Sequence, residues 1–258
     1  TTKGGIRVEG GQIVEIGPTV KSGTDLGGAT VFPGFFDGGS GLGLWEIDLE
    51  PATHDEAESS DGAVPAARVE ESYNPLSALI PVARRQGVLG GLVMPSGGLV
   101  SGQAAWMRFA GSRVAEATML GGAGVVINFG RDGTGALGNQ ARSRMGLLWK
   151  LRELLDANKP PDAPDAKSKW PKKRQEPKPE VLTRTQLAWR AVRTGELRVI
   201  LSANRADDIV AALALAAEYQ LNAVLAGCAV CGGAGGAGGE GGVGRGSSWS
   251  HCDCVVVV

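Results

Sequence analysis

The chain has 258 residues, 43% of them hydrophobic and 21% charged, with a formal net charge of −1. That length can bury one large core, or one large and one small, and the composition is that of an ordinary soluble protein. Near-neutrality removes the electrostatic case for nucleic acid or an anionic membrane as a partner, and no apolar run approaches the roughly 18 residues of a bilayer span.

Taken in chain order, Ile6–Val8 and Gln12–Ile16, joined by Glu9-Gly10-Gly11, read as a β-hairpin with a glycine turn. The mostly apolar run Ala29–Phe36, broken only by Pro33-Gly34, reads as a central parallel strand, apolar on both faces. Leu76–Gln86, opened by Asn74-Pro75, is a short helix, and Val88–Met94 an apolar strand. Gly124–Phe129 is a further strand. Arg142–Ala157 is a helix with Met145, Leu148, Leu151 and Leu155 near helical spacing. Leu182–Gly195 repeats that pattern and ends on glycine; Leu197–Leu201 is a strand, Arg205–Tyr219 a helix and Asn222–Leu225 a last strand. The longest apolar helix segment, Ile209–Ala217, is about half of what a membrane requires and reads as buried.

Repeated β–α alternation predicts a parallel sheet covered by helices. About five strands of barrel type can be counted, where a closed barrel has eight. The expected fold class is therefore α/β: a partial TIM-type (β/α) barrel preceded by a small β-rich segment. The expected boundaries are 1–32 for the β-rich segment, 33–226 for the incomplete barrel and 227–258 for a Gly/Cys-rich low-complexity tail. An unclosed barrel exposes two strand edges. Within it, residues 158–180, rich in proline and lysine, read as a mobile solvated insertion, and the basic run Lys172-Lys173-Arg174 has too many prolines and acids around it for a nucleic-acid patch.

All four cysteines lie in the tail, as Cys228-Ala-Val-Cys231 and His251-Cys252-Asp-Cys254. The donor types suit zinc, but the second pair has one intervening residue and the connection is nearly all glycine, so an accidental cluster is the plainer reading. The tail has the composition of a shifted reading frame or a truncated gene. At the other end, the start at Thr1 without methionine is compatible with a removed leader, although no signal peptide is visible.

Ser96-Gly-Gly-Leu-Val-Ser-Gly-Gln103 follows an apolar strand, which puts it where barrel enzymes bind substrates. Its glycines allow close backbone approach, and Ser96, Ser101 and Gln103 offer neutral hydrogen bonds; without a following lysine it is no phosphate cradle. Asn128, near the end of its strand, is a further ligand-binding candidate for the same mouth. Asn204 and Arg205 sit at another strand end, where helix capping is the better reading of Asn204. His54 lies in an acidic loop through Asp48, Glu50, Asp55, Glu56, Glu58 and Asp61. Such a loop could hold a cation where βα loops gather, but a solvated acidic loop is the simpler interpretation.

Residues 33–44 read Pro-Gly-Phe-Phe-Asp-Gly-Gly-Ser-Gly-Leu-Gly-Leu, which resembles the Pro-Gly-x-x-Asp-x-His-x-His signature of the amidohydrolase superfamily. Gly11–Gly17 resembles that family's opening hairpin, and Asp25–Phe32 its lead-in strand. Asn74–Arg84, Gly87–Pro95 and Ser96–Gln103 resemble an imidazolonepropionase-like subgroup. The resemblance covers about residues 4–130 and, more weakly, 181–226. It implies a barrel with a composite β-domain, a divalent metal such as zinc in intact members, and hydrolysis of non-peptide carbon–nitrogen bonds.

At the positions of the two signature histidines stand Gly39 and Gly41, which have no lone pair to offer a metal. The family's binuclear centre draws on about four histidines, and this chain has two, His54 and His251. No catalytic residue, cofactor or metal site is therefore assigned. The expectation is an amidohydrolase-like protein with a degenerate metal site, the alternative being a non-catalytic pseudoenzyme that binds a small molecule on the same scaffold.

Overall fold

The structure, a computed structural model, describes residues 4–20, 23–58, 60–130, 133, 143–160, 181–227 and 256–257. The chain divides into two compact units, Thr1–Pro33 and Gly34–Val258.

The first unit is the expected hairpin. Strands β1 (Gly5–Glu9) and β2 (Gln12–Gly17) pair antiparallel from Glu9↔Gln12 to Gly5↔Gly17. Gly10 and Gly11 form the two-residue turn at φ 57° and 78°, the left-handed pair that such a connection requires. Arg7 faces Glu15 across the ladder at 3.3 Å. The expected strand character of Ala29–Phe32 is absent: these residues adopt no strand, and Val31 and Phe32 are exposed.

In the second unit the strand begins only at Phe35. β3 (Phe35–Ser40) lies at the end of the sheet, beside β4 (Val88–Val93), and is not central. The ladder decides this shift: Phe35 N–H donates to the Gly87 carbonyl at 2.9 Å, whereas Pro33 has no N–H to give. Sheet order then runs through β5 (Val100–Arg108), β6 (Thr118–Asn128), β7 (Val199–Ala203) and β8 (Ala223–Gly227). β3 is parallel to β4, and β6, β7 and β8 are mutually parallel; β5 is antiparallel to both its neighbours. Five strands thus share one direction, at or near the five expected places, and a sixth runs against them. Together they make a mixed α/β, barrel-like sheet.

Much of the expected tail lies outside the described residues, including all four cysteines, His251 and the glycine run. Val256–Val257, however, form a short strand β9 antiparallel to β8. Most of the insertion at 158–180 is likewise outside the described residues.

Helices α1 (Leu79–Arg85) and α2 (Val114–Ala117) are short; α3 (Arg144–Ala157), α4 (Arg184–Thr194) and α5 (Ala206–Tyr219) cover one sheet face. Local chemistry sets their ends. Ser143 Oγ accepts from Gly146 N–H at the start of α3, Thr183 and Gln186 form a reciprocal capping box on α4, and Gly195 closes α4 at φ 77°. Asp207 and Asp208 sit in the first turn of α5, where the helix dipole favours carboxylates. Asp208 is buried and receives Arg144 Nε at 2.8 Å.

Period-2 alternation sorts the side chains of β6, β7 and β8 onto two faces, each with its own buried cluster. Val125, Ile127, Val199, Leu201, Ala223 and Leu225 pack against Leu147, Leu151, Trp189 and Leu215 of the helices. The intervening residues Val126, Ile200, Val224 and Ala226 meet Leu92 and Ala104 on the opposite, inward face. Each large side chain so buried contributes on the order of 1.5–3 kcal/mol. Among the described residues no helix is long and apolar enough to cross a membrane.

Candidate functional site

Continuing the inward parity two residues past Val126 and Ile200 gives Asn128 and Ser202, which are register partners on adjacent strands. They sit at the carboxyl ends of β6 and β7, where parallel strands expose backbone and side chains to a ligand. A cleft of about 640 Å³ opens there, reached also by the ends of β3 and β4; Gly39, Gly41, Trp45, Glu56, Ser96 and Asn128 line it.

Its floor is a hydrogen-bonded plug. Asn128 Nδ2 donates to the Gly98 carbonyl at 2.9 Å, to Ser101 Oγ at 2.7 Å and, more weakly, to the Gly97 carbonyl at 3.3 Å. Ser101 Oγ in turn donates to the Gly97 carbonyl at 2.6 Å. Gly97 and Gly98, at φ 71° and 73°, let the loop turn its carbonyls inward. With both amide hydrogens committed, what Asn128 can offer an occupant is its Oδ1 acceptor.

The rim is the loop after β3. Asp55 N–H bonds the Leu44 carbonyl at 2.8 Å, and Ser96 N–H bonds the Glu56 carbonyl at 2.7 Å, clipping the loop to the end of β4. His54 Nε2 meets the Ile47 carbonyl at 2.9 Å and Nδ1 meets Glu56 Oε1 at 3.3 Å. Both partners are acceptors, so the doubly protonated imidazolium fits the site. Its pKa is raised above the ordinary histidine value, first by the Ile47 bond, against some desolvation, and then by the Glu56 carboxylate. Glu56 Oε2 is buried and has no hydrogen-bond partner among the described residues.

The glycines at the signature positions are where the cleft departs from a metal site. A β-carbon added at Gly41 would lie 2.9 Å from Trp45 Nε1 and 3.2 Å from Trp45 Cδ1, so the indole stands where a side chain at 41 would begin. His54 is turned to Ile47 and Glu56, and among the described residues Glu56 is the one carboxylate in the lining. Among the described residues no three of His, Cys, Asp and Glu are grouped to hold a metal. The donors among the described residues do not fit the divalent ion that the sequence resemblance implies.

No protein-family model matches the sequence, and no curated protein matches it. Among solved structures, an amidohydrolase from Thermotoga maritima MSB8 superposes with a TM-score of 0.69 at 22% identity, over 85% of this chain and 58% of that one. The two share a fold. This chain spans less than two thirds of the length of that structure.

The candidates read from sequence divide on this scaffold. Ser96 and Asn128 line the cleft. Ser101 lies beneath it, buried, as Asn128's partner. Gln103 is elsewhere: it belongs to β5, and its Nε2 donates to the Pro65 carbonyl at 2.9 Å, pinning the segment that crosses that strand. The expected loop Ser96–Gln103 is therefore a loop only as far as Leu99. Asn204 does not cap α5, whose N-cap residue is Arg205 with no side-chain capping bond. Sequence reasoning missed Trp45, Ser40 and Ser202 as lining residues and placed Glu56 only in an acidic loop. Ser202 was accessible from parity with Ile200. Trp45 carried no signal beyond its nearness to the glycines.

Proposed function

We propose that this chain is an amidohydrolase-like scaffold used to bind a small molecule at the carboxyl ends of its strands, without hydrolysis at a first-strand metal. The observation that carries this reading is the Trp45 indole set against Gly41, which leaves that position with neither a donor nor room for one. The floor supports the same reading. Its Asn128–Ser101–Gly97 bonds hold the polar groups in one arrangement, the preorganisation that binding requires.

A second reading, hydrolysis of a non-peptide carbon–nitrogen bond, is favoured by the likeness to the Thermotoga maritima amidohydrolase. Metal analysis of the purified full chain, paired with assays on cyclic and linear amides, separates the two. Binding without stoichiometric zinc or manganese and without turnover supports the first. One equivalent of metal with metal-dependent turnover supports the second.

A further inference from the structure

We propose that the loop at the rim of the cleft is a pH-sensitive latch: protonated His54 ties its two arms together, and loss of that proton cuts the tie. This goes beyond the small-molecule reading and does not depend on what the cleft holds.

The loop leaves β3, passes Trp45 and Ile47, turns through a short 3-10 helix at Pro51–Thr53 and returns by His54 to Glu56. Trp45 and His54 face each other across it in an antiparallel bridge, their ring centroids 6.2 Å apart. Asp55 N–H closes the same two arms on the Leu44 carbonyl at 2.8 Å, and the Glu56 carbonyl accepts from Ser96 N–H at 2.7 Å. Both arms reach the cleft, Trp45 from the outgoing one and Glu56 from the returning one.

The His54 ring joins them. Nε2 meets the Ile47 carbonyl at 2.9 Å on the outgoing arm, and Nδ1 meets Glu56 Oε1 at 3.3 Å on the returning arm. A carbonyl and a carboxylate bring no hydrogen, so both contacts are hydrogen bonds only when both ring nitrogens are protonated. The neutral ring has one hydrogen to share. With it on Nε2 the ring keeps Ile47 and turns a bare lone pair to the Glu56 carboxylate; with it on Nδ1 the ring keeps Glu56 and faces the Ile47 carbonyl with the lone pair. Either tautomer lets one arm go. The Ile47 carbonyl also accepts from Glu50 N–H at 2.9 Å, so the outgoing arm keeps its own turn when the ring withdraws. Among the described residues the charged groups acting on the ring are two carboxylates, Glu56 on the returning arm and Asp48 beside Ile47, and both favour the imidazolium. The tie is therefore made in acid and lost as pH rises through the titration of His54, the direction that linkage gives for a raised folded pKa.

The test is amide hydrogen exchange by NMR on the full chain between about pH 5.5 and 8.5, a window that brackets histidine titration. Each rate is divided by the intrinsic rate at that pH, Asp55 N–H reports the closure of the loop, and the nitrogen shifts of the His54 ring give its own titration. Protection of Asp55 is expected to fall by about two- to fivefold as pH rises, the range of a partly exposed ion pair, with a midpoint that matches the ring. In Glu56→Gln the fall is expected to vanish, because an amide can accept from a protonated Nδ1 and donate to a bare one. His54→Ala is expected to hold Asp55 at the low, high-pH level throughout. Protection that stays level in the unsubstituted chain overturns the latch. So does a fall whose midpoint stands apart from that of His54, or one that persists undiminished in Glu56→Gln.

Discussion

Trp45 Nε1 lies 2.9 Å from the point where a β-carbon on residue 41 would sit. The smallest side chain at 41 therefore has to displace an indole. Gly41→Ala is expected to lower stability by about 1–3 kcal/mol, the range for overpacking. In the Trp45→Ala background the same change is expected to cost much less. Urea unfolding of the four proteins in the cycle measures the coupling directly; equal costs in both backgrounds would mean that the indole is not what excludes a side chain there.

Asn128 and Ser101 act as one unit under the cleft. Removing either leaves its partner short of a bond at a buried site, at a cost of about 1–3 kcal/mol. Because the two share that bond, Asn128→Ala with Ser101→Ala is expected to cost clearly less than the sum of the single changes. Denaturant midpoints of the two single variants and the double variant provide the check, and strict additivity is the result that contradicts it.

His54 is expected to titrate above the ordinary histidine range, because the Ile47 carbonyl and then Glu56 favour its imidazolium. The sign follows from linkage. A folded pKa above the unfolded one gives a stabilising contribution that is fully present below about pH 6.5, the unfolded value, and fades as pH rises through the folded value. An NMR titration of the His54 ring reads this. Glu56→Gln should bring the value down only in part, since the Ile47 bond is the larger cause and survives.

Gly195 ends α4 at φ 77° with open space around its α-carbon. Gly195→Ala therefore meets no clash, and its cost is conformational alone, about 1 kcal/mol. Thermal unfolding should show a small, uniform drop with α4's other contacts intact. Gly195→Asn, which tolerates the left-handed region better, should recover part of it.

β4, β6, β7 and β8 were legible because each carries an apolar run that a buried parallel strand needs. β5 was not. Val100-Ser-Gly-Gln-Ala-Ala-Trp-Met-Arg108 mixes glycine and small polar residues in a way that reads as a loop, yet it is buried along most of its length. Small side chains are required there because the chain at 65–68 lies on it: Gly102 would place a β-carbon 2.8 Å from the Ala67 carbonyl. Ala29–Phe32 misled in the opposite sense, since hydrophobicity does not supply a ladder partner. The same limit applies to the site. Strand-end polar residues such as Asn128 follow from the pattern, whereas Trp45 arrives by a loop whose path is set by the Leu44–Asp55 and Glu56–Ser96 bonds, contacts that no local pattern encodes.

The reversed strand β5 also has a consequence for how the chain reaches its native state. β4, β5 and β6 are joined by short connections and paired antiparallel, so their contacts close small loops. β6 and β7 instead meet across everything between Asn128 and Val199. Loop-closure entropy rises with the length enclosed, and rates follow the locality of the contacts formed. The β4–β6 meander is thus the segment best placed to nucleate, with β7, β8 and their helices condensing onto it afterwards.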